Sequence, residues 1–318
     1  MALKQQTVSG AQTAVGSRKP WRTQSFRDHV SGYLYISPFF LLFGAFTVFP
    51  VLWSAYISFF SWNILGEKEF IGFQNYVWLI TDDPRFWKSV GNSFSMWIIS
   101  TIPQLFFALV LASLLNQDFL KFRKFFRVGL FVPNVTSLVA VAIVFSSIFG
   151  YNYGLLNFFL VELLGIEKFD WSASYYGAQI AVSVMVMWRW TGYNAILYLA
   201  ALQSIPNDLY ESATIDGASK IQQFFYVTIP MIRPMILFTV ILSTIGGMQL
   251  FVEPLIFAGS AQGGSQGQVL TMVLYLYDTA FTKNSFGYAS AIAWLMFLII
   301  MAFSFFNMYL TKKIQSAD

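Results

Sequence analysis

The stretch Gln203–Arg233, which reads QSIPNDLYESATIDGASKIQQFFYVTIPMIR, separates two long apolar runs and decides how the chain is organised. At 31 residues it is too long for a turn between neighbouring helices. Pro206 stands where a helix can start, and Asp208 and Glu211 follow early, where carboxylates favour the positive end of the helix dipole. These signals predict a short helix at the beginning of the stretch.

A glycine and two prolines divide the rest of the stretch. Gly217 interrupts the first predicted helix, an amphipathic run follows over residues 218–227, and Pro230 and Pro234 are expected to end it. The stretch holds only two basic residues, which is few for a helix lying on lipid, so we expect it to dock against a protein partner. The apolar side chains expected to anchor it are Leu209, Tyr210, Ile215, Phe224 and Phe225.

Outside this stretch, long intervals without charge dominate the sequence. A helix needs roughly 20 apolar residues to cross the hydrocarbon core of a bilayer. The intervals therefore predict six spans, near residues 33–60, 91–115, 128–150, 176–202, 235–258 and 287–310. The predicted fold class is an all-α polytopic membrane protein with six transmembrane helices.

The composition excludes several classes of protein. Of 318 residues, 57% are hydrophobic and 11% are charged, whereas soluble domains carry about 25% charged residues. The absence of cysteine excludes a disulfide scaffold, a thiolate metal site and a cysteine nucleophile, and one histidine, His29, leaves little for a His-ligated metal or a His base. We expect no catalytic residues, no metal site and no nucleic-acid partner.

The basic residues orient the predicted spans in the lipid bilayer. With the N-terminus in the cytoplasm, thirteen of the 19 Lys and Arg residues lie on the inner side and five on the outer side, and Arg189 lies within a span. Both termini are therefore expected in the cytoplasm. Residues 1–30 are predicted to form a cytoplasmic tail and residues 31–318 one six-span domain, with the loop near 203–233 on the inner side.

The loop carries a motif with a defined spacing. Glu211–Ala213 is followed after three residues by Gly217, and after nine more residues by Val227–Pro230. This pattern resembles the EAA loop of binding-protein-dependent ABC importer permeases, and Asp216–Ala218 fits the extended form found in sugar permeases. The departures from the most common residues of the motif are conservative in size.

Other segments extend the resemblance over roughly the last 150 residues. Trp188–Gly192 and Leu199–Pro206 are similar to the fourth-span region of maltose-transporter-like permeases. Gln249–Pro254 and Tyr275–Phe281 look like the region that follows it, and the string Gln-Leu-Phe-x-Glu-Pro resembles the lactose and cellobiose branch. The resemblance implies a disaccharide or oligosaccharide substrate.

The resemblance also implies a fold and a set of partners. The fold is that of type I ABC importer permeases, with a cytoplasmic loop of coupling helices that sit in a cleft of an ATPase subunit. The partners are a second permease subunit in a heterodimer, two ATP-binding subunits and an extracytoplasmic sugar-binding protein, in a bacterial inner or plasma membrane. The residues implied in coupling are Tyr210, Glu211, Ser212, Ala213, Asp216, Gly217, Ala218 and Pro230.

ATP chemistry is expected on a partner subunit. The chain contains no G-x-x-x-x-G-K-[ST] phosphate loop, so it does not supply the ATP site by that route. We expect no cofactor bound by this chain, with ATP and Mg held by the ATPase.

Polar residues near the end of the fifth predicted span suit a sugar. Gln249 is expected one helical turn before Glu253 on the same face, and Phe251 lies between them. Amides and carboxylates bind sugar hydroxyls, and aromatic rings pack against the sugar ring. The alternative is that Glu253 is a rim or salt-bridge residue without sugar contact.

Arg189 is predicted within the fourth span between Trp188 and Trp190, with Asn194 one helical turn beyond Trp190. One interpretation is a pathway residue that holds hydroxyls. The other, favoured because a buried cation needs a partner, is an internal ion pair, with Glu253 as the candidate, or a hydrogen bond to backbone that locks spans together. The Gly-rich outer loop near 258–268 is either a contact for the binding protein or a flexible linker.

Two other functions compete with an importer subunit. A stand-alone, ion-coupled secondary transporter would need an intramembrane proton relay or paired inverted repeats, and the sequence displays neither. A membrane enzyme would need clustered Asp, Glu or His residues at a membrane face, and the outer acids show no such spacing.

Overall fold

A computed structural model describes residues 21–63, 66–117 and 120–315. The chain divides into two compact units, residues 1–54 and 55–318. One long helix makes up the described part of the first unit: α1 (Trp21–Phe43) continues through a π-helical segment (Gly44–Val48) into α2 (Phe49–Ile57), whose last residues belong to the second unit. Helix α1 begins inside the segment predicted to be a tail, and residues 1–20 of that segment lie outside the described residues.

The second unit opens with a short hairpin and then is helical. The hairpin pairs β1 (Phe60–Ser61) with β2 (Glu69–Phe70) in antiparallel register. The helices are α3 (Gln74–Thr81), α4 (Pro84–Leu115), α5 (Arg123–Val135), α6 (Leu138–Ile148), α7 (Leu155–Leu164), α8 (Tyr175–Gln203), α9 (Asn207–Ile215), α10 (Lys220–Gln223), α11 (Ile229–Met248), α12 (Val252–Ala258), α13 (Met272–Tyr277) and α14 (Phe286–Gln315). Two π-helical segments, Phe224–Thr228 and Asp278–Thr282, follow α10 and α13.

The long helices correspond to the predicted spans and confirm the all-α membrane fold class. In the described part of the chain, four helical stretches are long and apolar enough to cross a membrane: His29–Ile57, Pro84–Leu115, Lys220–Ala258 and Phe286–Tyr309. The bent pair α5 and α6 adds a fifth. Helix α8 is less apolar, but its 29 residues extend about 44 Å, more than the roughly 30 Å hydrocarbon core.

The third predicted span is not one straight helix. Helices α5 and α6 meet at an angle of 94°, because Thr136 and Ser137 adopt extended backbone between them. The Thr136 N–H and hydroxyl both donate to the carbonyl of Val132, at 3.1 and 2.8 Å, and close the end of α5. The prediction of a single span over residues 128–150 therefore holds only if the two bent helices are counted together as one span.

The fifth predicted span begins earlier than expected. Pro230 and Pro234 do not end the preceding helix, because α10 runs through a π-helical segment into α11. In that segment the Ile229 N–H donates to the carbonyl of Phe224, five residues back. The wider turn relieves the clash that a proline ring makes with the carbonyl four residues before it. The π-helical segment before Pro50 makes the same bond, from Phe49 to Gly44.

Helices α4 and α8 form the centre of the second unit and run in the same direction. Near their starts, the Ser95 hydroxyl donates to Gln179 Oε1 at 2.6 Å, and near their ends Leu115 and Leu202 share one apolar cluster. Small residues let the two backbones approach, as is usual between membrane helices. The fully buried alanines on these helices are Ala108, Ala112, Ala181 and Ala195.

Candidate functional site

The predicted helix, glycine interruption and second helix are all present in the loop after α8. Helix α9 ends at Ile215, and Gly217 takes the left-handed conformation, with φ +80°, that glycine adopts without strain. Ser219 then caps α10 in a capping box: its hydroxyl accepts from the Gln222 N–H at 3.3 Å, and its own N–H donates to Gln222 Oε1 at 2.8 Å. Local chemistry therefore fixes the angle between the two helices.

Buried side chains tie α9 to α10, and the two helices with the segment after them are here called the coupling unit (residues 207–228). Gln223 is 3% exposed, and its Nε2 donates to Thr214 Oγ1 at 2.8 Å and to the Ala218 carbonyl at 3.3 Å. A second hydrogen bond joins the hydroxyls of Tyr210 and Thr228 at 2.9 Å. Periodicity along the sequence did not predict these bonds, because they form only when the chain folds back at Gly217.

The outer surface of the coupling unit combines acids, small residues and apolar side chains. Of the predicted coupling residues, Glu211, Ser212, Asp216, Gly217 and Pro230 are exposed, while Tyr210, Ala213 and Ala218 are half-buried. Among the predicted anchors, Leu209, Ile215 and Phe225 are exposed. Tyr210 and Phe224 instead line a cavity between the coupling unit and the ends of α4 and α8. Ile221 and Tyr226, which the sequence reading did not single out, are exposed as well.

A cavity of about 330 Å³ lies between α4, α8 and α11. Two aromatic rings line it, those of Trp190 and Tyr193, with centroids 5.5 Å apart and planes at 88°. The amides of Gln104 and Asn194 and the hydroxyls of Thr101 and Ser243 also line it. No Asp, Glu, Lys or Arg belongs to its described lining. Aromatic faces beside uncharged donors and acceptors are suited to a neutral, hydroxyl-rich ligand.

One polar group at this cavity has no partner. Asn194 is 2% exposed, and its Nδ2 donates no hydrogen bond within the described residues. Gln104, by contrast, donates to Ser243 Oγ at 3.1 Å. A buried, unpaired amide donor is costly, so Asn194 is poised to donate to a ligand or to a partner chain at the cavity.

The structure brings only part of the predicted pathway set to the cavity. Trp190 and Asn194 line it, whereas Arg189, Gln249, Phe251 and Glu253 are absent from the described lining. Arg189 lies over the Trp190 ring, with its guanidinium carbon 5.5 Å from the ring centroid. Thr101, Gln104, Tyr193 and Ser243 were missed, because single polar residues in long helices carry no spacing signal.

The expected geometry around Glu253 is wrong. Helix α11 ends at Met248, and the chain restarts as α12 at Val252, so Gln249 and Glu253 are not one turn apart on one helix. Glu253 is buried in the first turn of α12, and Arg189 and Glu253 form no ion pair in the described structure. Phe251 packs against the ring of Tyr277, with centroids 5.0 Å apart.

The Gly-rich loop after α12 is tied down at the opposite end of the unit. Gln268 is completely buried, and its Nε2 donates to the carbonyls of Ser172 and Ala173 at 3.2 and 3.3 Å. Gln179 Nε2 donates to the Gln268 carbonyl at 3.0 Å. Of the two interpretations left open for this loop, the flexible linker is not supported, because buried hydrogen bonds hold its second half.

One carboxylate at the same end, that of Asp83, joins three helices. Asp83 caps α4 by accepting from the N–H groups of Arg85 and Phe86, at 2.9 and 3.1 Å, and it also accepts from the hydroxyls of Tyr275 and Tyr288. Burial raises the pKa of the Tyr275 phenol above its ordinary value, and its hydrogen bond to the Asp83 carboxylate raises it further. Tyr275 therefore remains a donor at physiological pH.

Comparison with known proteins places this geometry among transport proteins. Residues 84–316 match the family described as binding-protein-dependent transport system inner membrane component. The lactose transport system permease protein of Rhizobium radiobacter is 37% identical over 287 residues, covering 89% of this chain and 95% of the relative. The arabinooligosaccharides transport system permease protein of Halalkalibacterium halodurans is 33% identical over 306 residues, covering 96% of this chain and 95% of the relative.

A solved structure has the same fold. The crystal structure of a bacterial ABC transporter involved in the import of the acidic polysaccharide alginate contains a chain that superposes with a TM-score of 0.78 at 20% identity. The superposition covers 92% of this chain and 99% of that one.

Proposed function

This chain belongs to the family of binding-protein-dependent transport system inner membrane components, and from that premise we propose that it is the transmembrane subunit of an ATP-driven sugar importer. It takes a disaccharide or oligosaccharide from an extracytoplasmic binding protein and passes it into the cytoplasm. A second permease subunit and two ATP-binding subunits complete the importer. Both termini and the coupling unit face the cytoplasm, in keeping with the distribution of Lys and Arg.

The sugar assignment is supported by the cavity and by the relatives. Relatives named for lactose and for arabinooligosaccharides are similar over nearly their whole length. The cavity offers Trp190 and Tyr193 to a sugar ring and the amides of Gln104 and Asn194 to its hydroxyls. Its described lining carries no charge that would require a charged substrate.

One observation carries the proposed mechanism: the coupling unit joins the two helices that line most of the cavity. Helix α8 ends at Gln203 and α9 begins at Asn207, while α10 continues through the π-helical segment into α11. A displacement of the coupling unit is therefore delivered directly to both α8 and α11.

The proposed cycle uses this connection. ATP binding closes the partner ATPases, whose clefts carry the coupling unit with them, with Glu211 as an anchor on its exposed surface. Rigid-body motion of the permease pair then opens the cavity to the outside, where the binding protein delivers the sugar. ATP hydrolysis reverses the motion and releases the sugar inwards.

Substitution at Glu211 tests the coupling role. Glu211→Lys is expected to abolish sugar uptake in proteoliposomes, because it reverses the charge at the proposed ATPase contact, while the variant still inserts and co-purifies with the second permease. Glu167→Lys, the same charge reversal at an exposed acid in the segment before α8, is the matched control for membrane expression. Uptake by the Glu211 variant at the wild-type rate would exclude the coupling role.

Purification of the tagged chain from native membranes in mild detergent tests the assembly. Co-purification of a second permease and an ATPase with a phosphate loop is the expected result. A chain that purifies alone and transports solute in liposomes without ATP would contradict the proposal and point to a secondary transporter. Uptake of labelled disaccharides by the purified complex then identifies the sugar.

A further inference from the structure

A line of aromatic rings runs from the break after α11 to the start of α14. The Tyr277 ring lies between those of Phe251 and Phe281, at centroid distances of 5.0 and 5.1 Å. The Phe281 ring lies 6.1 Å from that of Phe286, which lies 5.9 Å from that of Trp62. Tyr277 and Phe281 are 36% and 62% exposed, and the other three are half-buried. These five residues are here called the aromatic track.

The inner end of the aromatic track adjoins the cavity between α4, α8 and α11. Gly246 and Gly247 line that cavity, and Phe251 follows shortly after them in the chain. The carbonyl of Leu250, the residue before Phe251, accepts from the Thr271 hydroxyl at 2.7 Å, at the start of α13. The track therefore begins next to the proposed sugar cavity.

Helix α13 carries the track outwards along α4. At the start of α13, the Met272 N–H donates to Ser93 Oγ at 3.0 Å. Just after its end, Asp278 Oδ2 accepts from Arg85 Nη2 at 3.3 Å. Arg85 lies about 12 Å from Ser93 along α4, on the outer side in the orientation proposed above, and the cavity residue Thr101 lies about 12 Å from Ser93 on the inner side. The track thus leads from near the cavity to the outer end of α4.

The residues beside the track are polar, which argues against a surface covered by lipid. Gln249, two residues before Phe251, is exposed. At the outer end, the Lys283 side chain is 45% exposed, and Asn284 is exposed as well. An amide such as that of Gln249 is costly to place in hydrocarbon, so the surface that it shares with Phe251 is expected to face water or protein.

We propose that the aromatic track is a path for the sugar, on which sugar rings stack as they move from the binding protein at the outer surface to the cavity. The C–H faces of a sugar ring pack against aromatic faces, while its hydroxyls stay in water. Rings spaced 5–6 Å apart let the sugar reach one ring before it leaves another, so that no single site holds it tightly. The inference rests on the proposed function, since it assigns a second contact surface to the same substrate.

Uptake by the importer complex in proteoliposomes, with its binding protein present, tests this path. The probes are labelled lactose and labelled arabinobiose, after the sugars in the names of the two relatives. Phe281→Leu keeps an apolar side chain but removes the ring. Phe158→Leu is the matched control on α7, because Phe158 is 57% exposed.

Phe281→Leu is expected to lower the maximal rate of uptake about fivefold, which is equivalent to about 1 kcal/mol and typical of one aromatic packing contact. Phe158→Leu should transport as wild type does. Phe281→Tyr, which restores an aromatic face of the same size, should recover wild-type uptake.

Three results would overturn the inference. Equal uptake by Phe281→Leu and wild type would mean that the ring has no part in transport. Loss of the second permease when Phe281→Leu is purified would assign this surface to subunit packing. Failure of Phe281→Tyr to recover uptake would show that the aromatic face is not what matters. A lack of ATP-driven uptake by wild type would instead count against the proposed function itself, before any variant is compared.

Discussion

Replacing Gln223 with methionine should loosen the coupling unit without disturbing its surface. The side chain is 3% exposed and donates to Thr214 Oγ1 on α9 and to the Ala218 carbonyl in the linker before α10. The substitution therefore removes one hydrogen bond between α9 and α10 and one between the linker and α10. At about 1 kcal/mol for each net hydrogen bond, the two helices lose about 1 kcal/mol of mutual attachment through the bond to Thr214. This corresponds to a roughly fivefold shift in the equilibrium between attached and detached α9.

The consequence should appear in the efficiency of transport. In proteoliposomes containing the complex, Gln223→Met is expected to lower the amount of sugar imported per ATP hydrolysed, because movement of α9 no longer carries α10 and α11 with it. Gln74→Met, on an exposed glutamine at the start of α3, is the matched control and should transport as wild type does. Both variants should retain the partner subunits on purification.

A double-mutant cycle makes the reasoning refutable. Thr214→Val removes the acceptor of the same hydrogen bond, so the effects of Thr214→Val and Gln223→Met should be less than additive in the double variant. Full additivity would show that the two residues do not act together. Wild-type efficiency in Gln223→Met alone would refute the view that the coupling unit works as one body.

Three further outcomes follow from the backbone and the buried contacts. Gly217→Ala should reduce uptake while leaving assembly intact, because an alanine at φ +80° costs about 1 kcal/mol. The control Gly129→Ala, which has open space around the added Cβ, should behave as wild type in uptake and thermal unfolding. Gly192→Ala should destabilise the protein by about 1–3 kcal/mol and lower the midpoint of thermal unfolding, since its Cβ would lie 1.7 Å from the Leu130 carbonyl oxygen. An unchanged midpoint would argue against this close contact between α5 and α8. Asp83→Asn should destabilise the purified complex by about 1–2 kcal/mol, because it weakens a helix cap and the charged acceptor of two tyrosine hydroxyls, and an unchanged denaturation profile would contradict that.

The features that the sequence predicted correctly are those that depend on residues close together along the chain. A glycine between two short amphipathic runs was enough to foresee the two helices around Gly217, and apolar length was enough to foresee most spans. The prolines misled, because a π-helical segment absorbs Pro230 and lets α10 run on into α11. Whether a helix tolerates a proline depends on the geometry of the preceding turn, which no single residue predicts.

The cavity was only half foreseen, for a related reason. Trp190 and Asn194 were singled out because they lie near a charge in the same span, whereas Gln104 and Ser243 become neighbours only when α4 packs beside α11. The break at Gln249 also escaped prediction, although Gly246 and Gly247 before it and Pro254 after it are residues that weaken a continuous helix. Contacts between side chains on different helices depend on how the helices pack, and the periodicity of one helix does not contain that information.

The π-helical segment Phe224–Thr228 also sets the rotational phase of the helix beyond it. A π turn takes in one residue more than an α turn, and each residue of an α-helix advances the side-chain direction by about 100°. Relative to an uninterrupted helix, every residue of α11 is thereby turned by about that angle. Ser243 and Gly246 line the cavity in the rotational phase that this turn sets, about four helical turns away beside the coupling unit. A tightening of that one turn to α geometry would present a different face of α11 to the cavity.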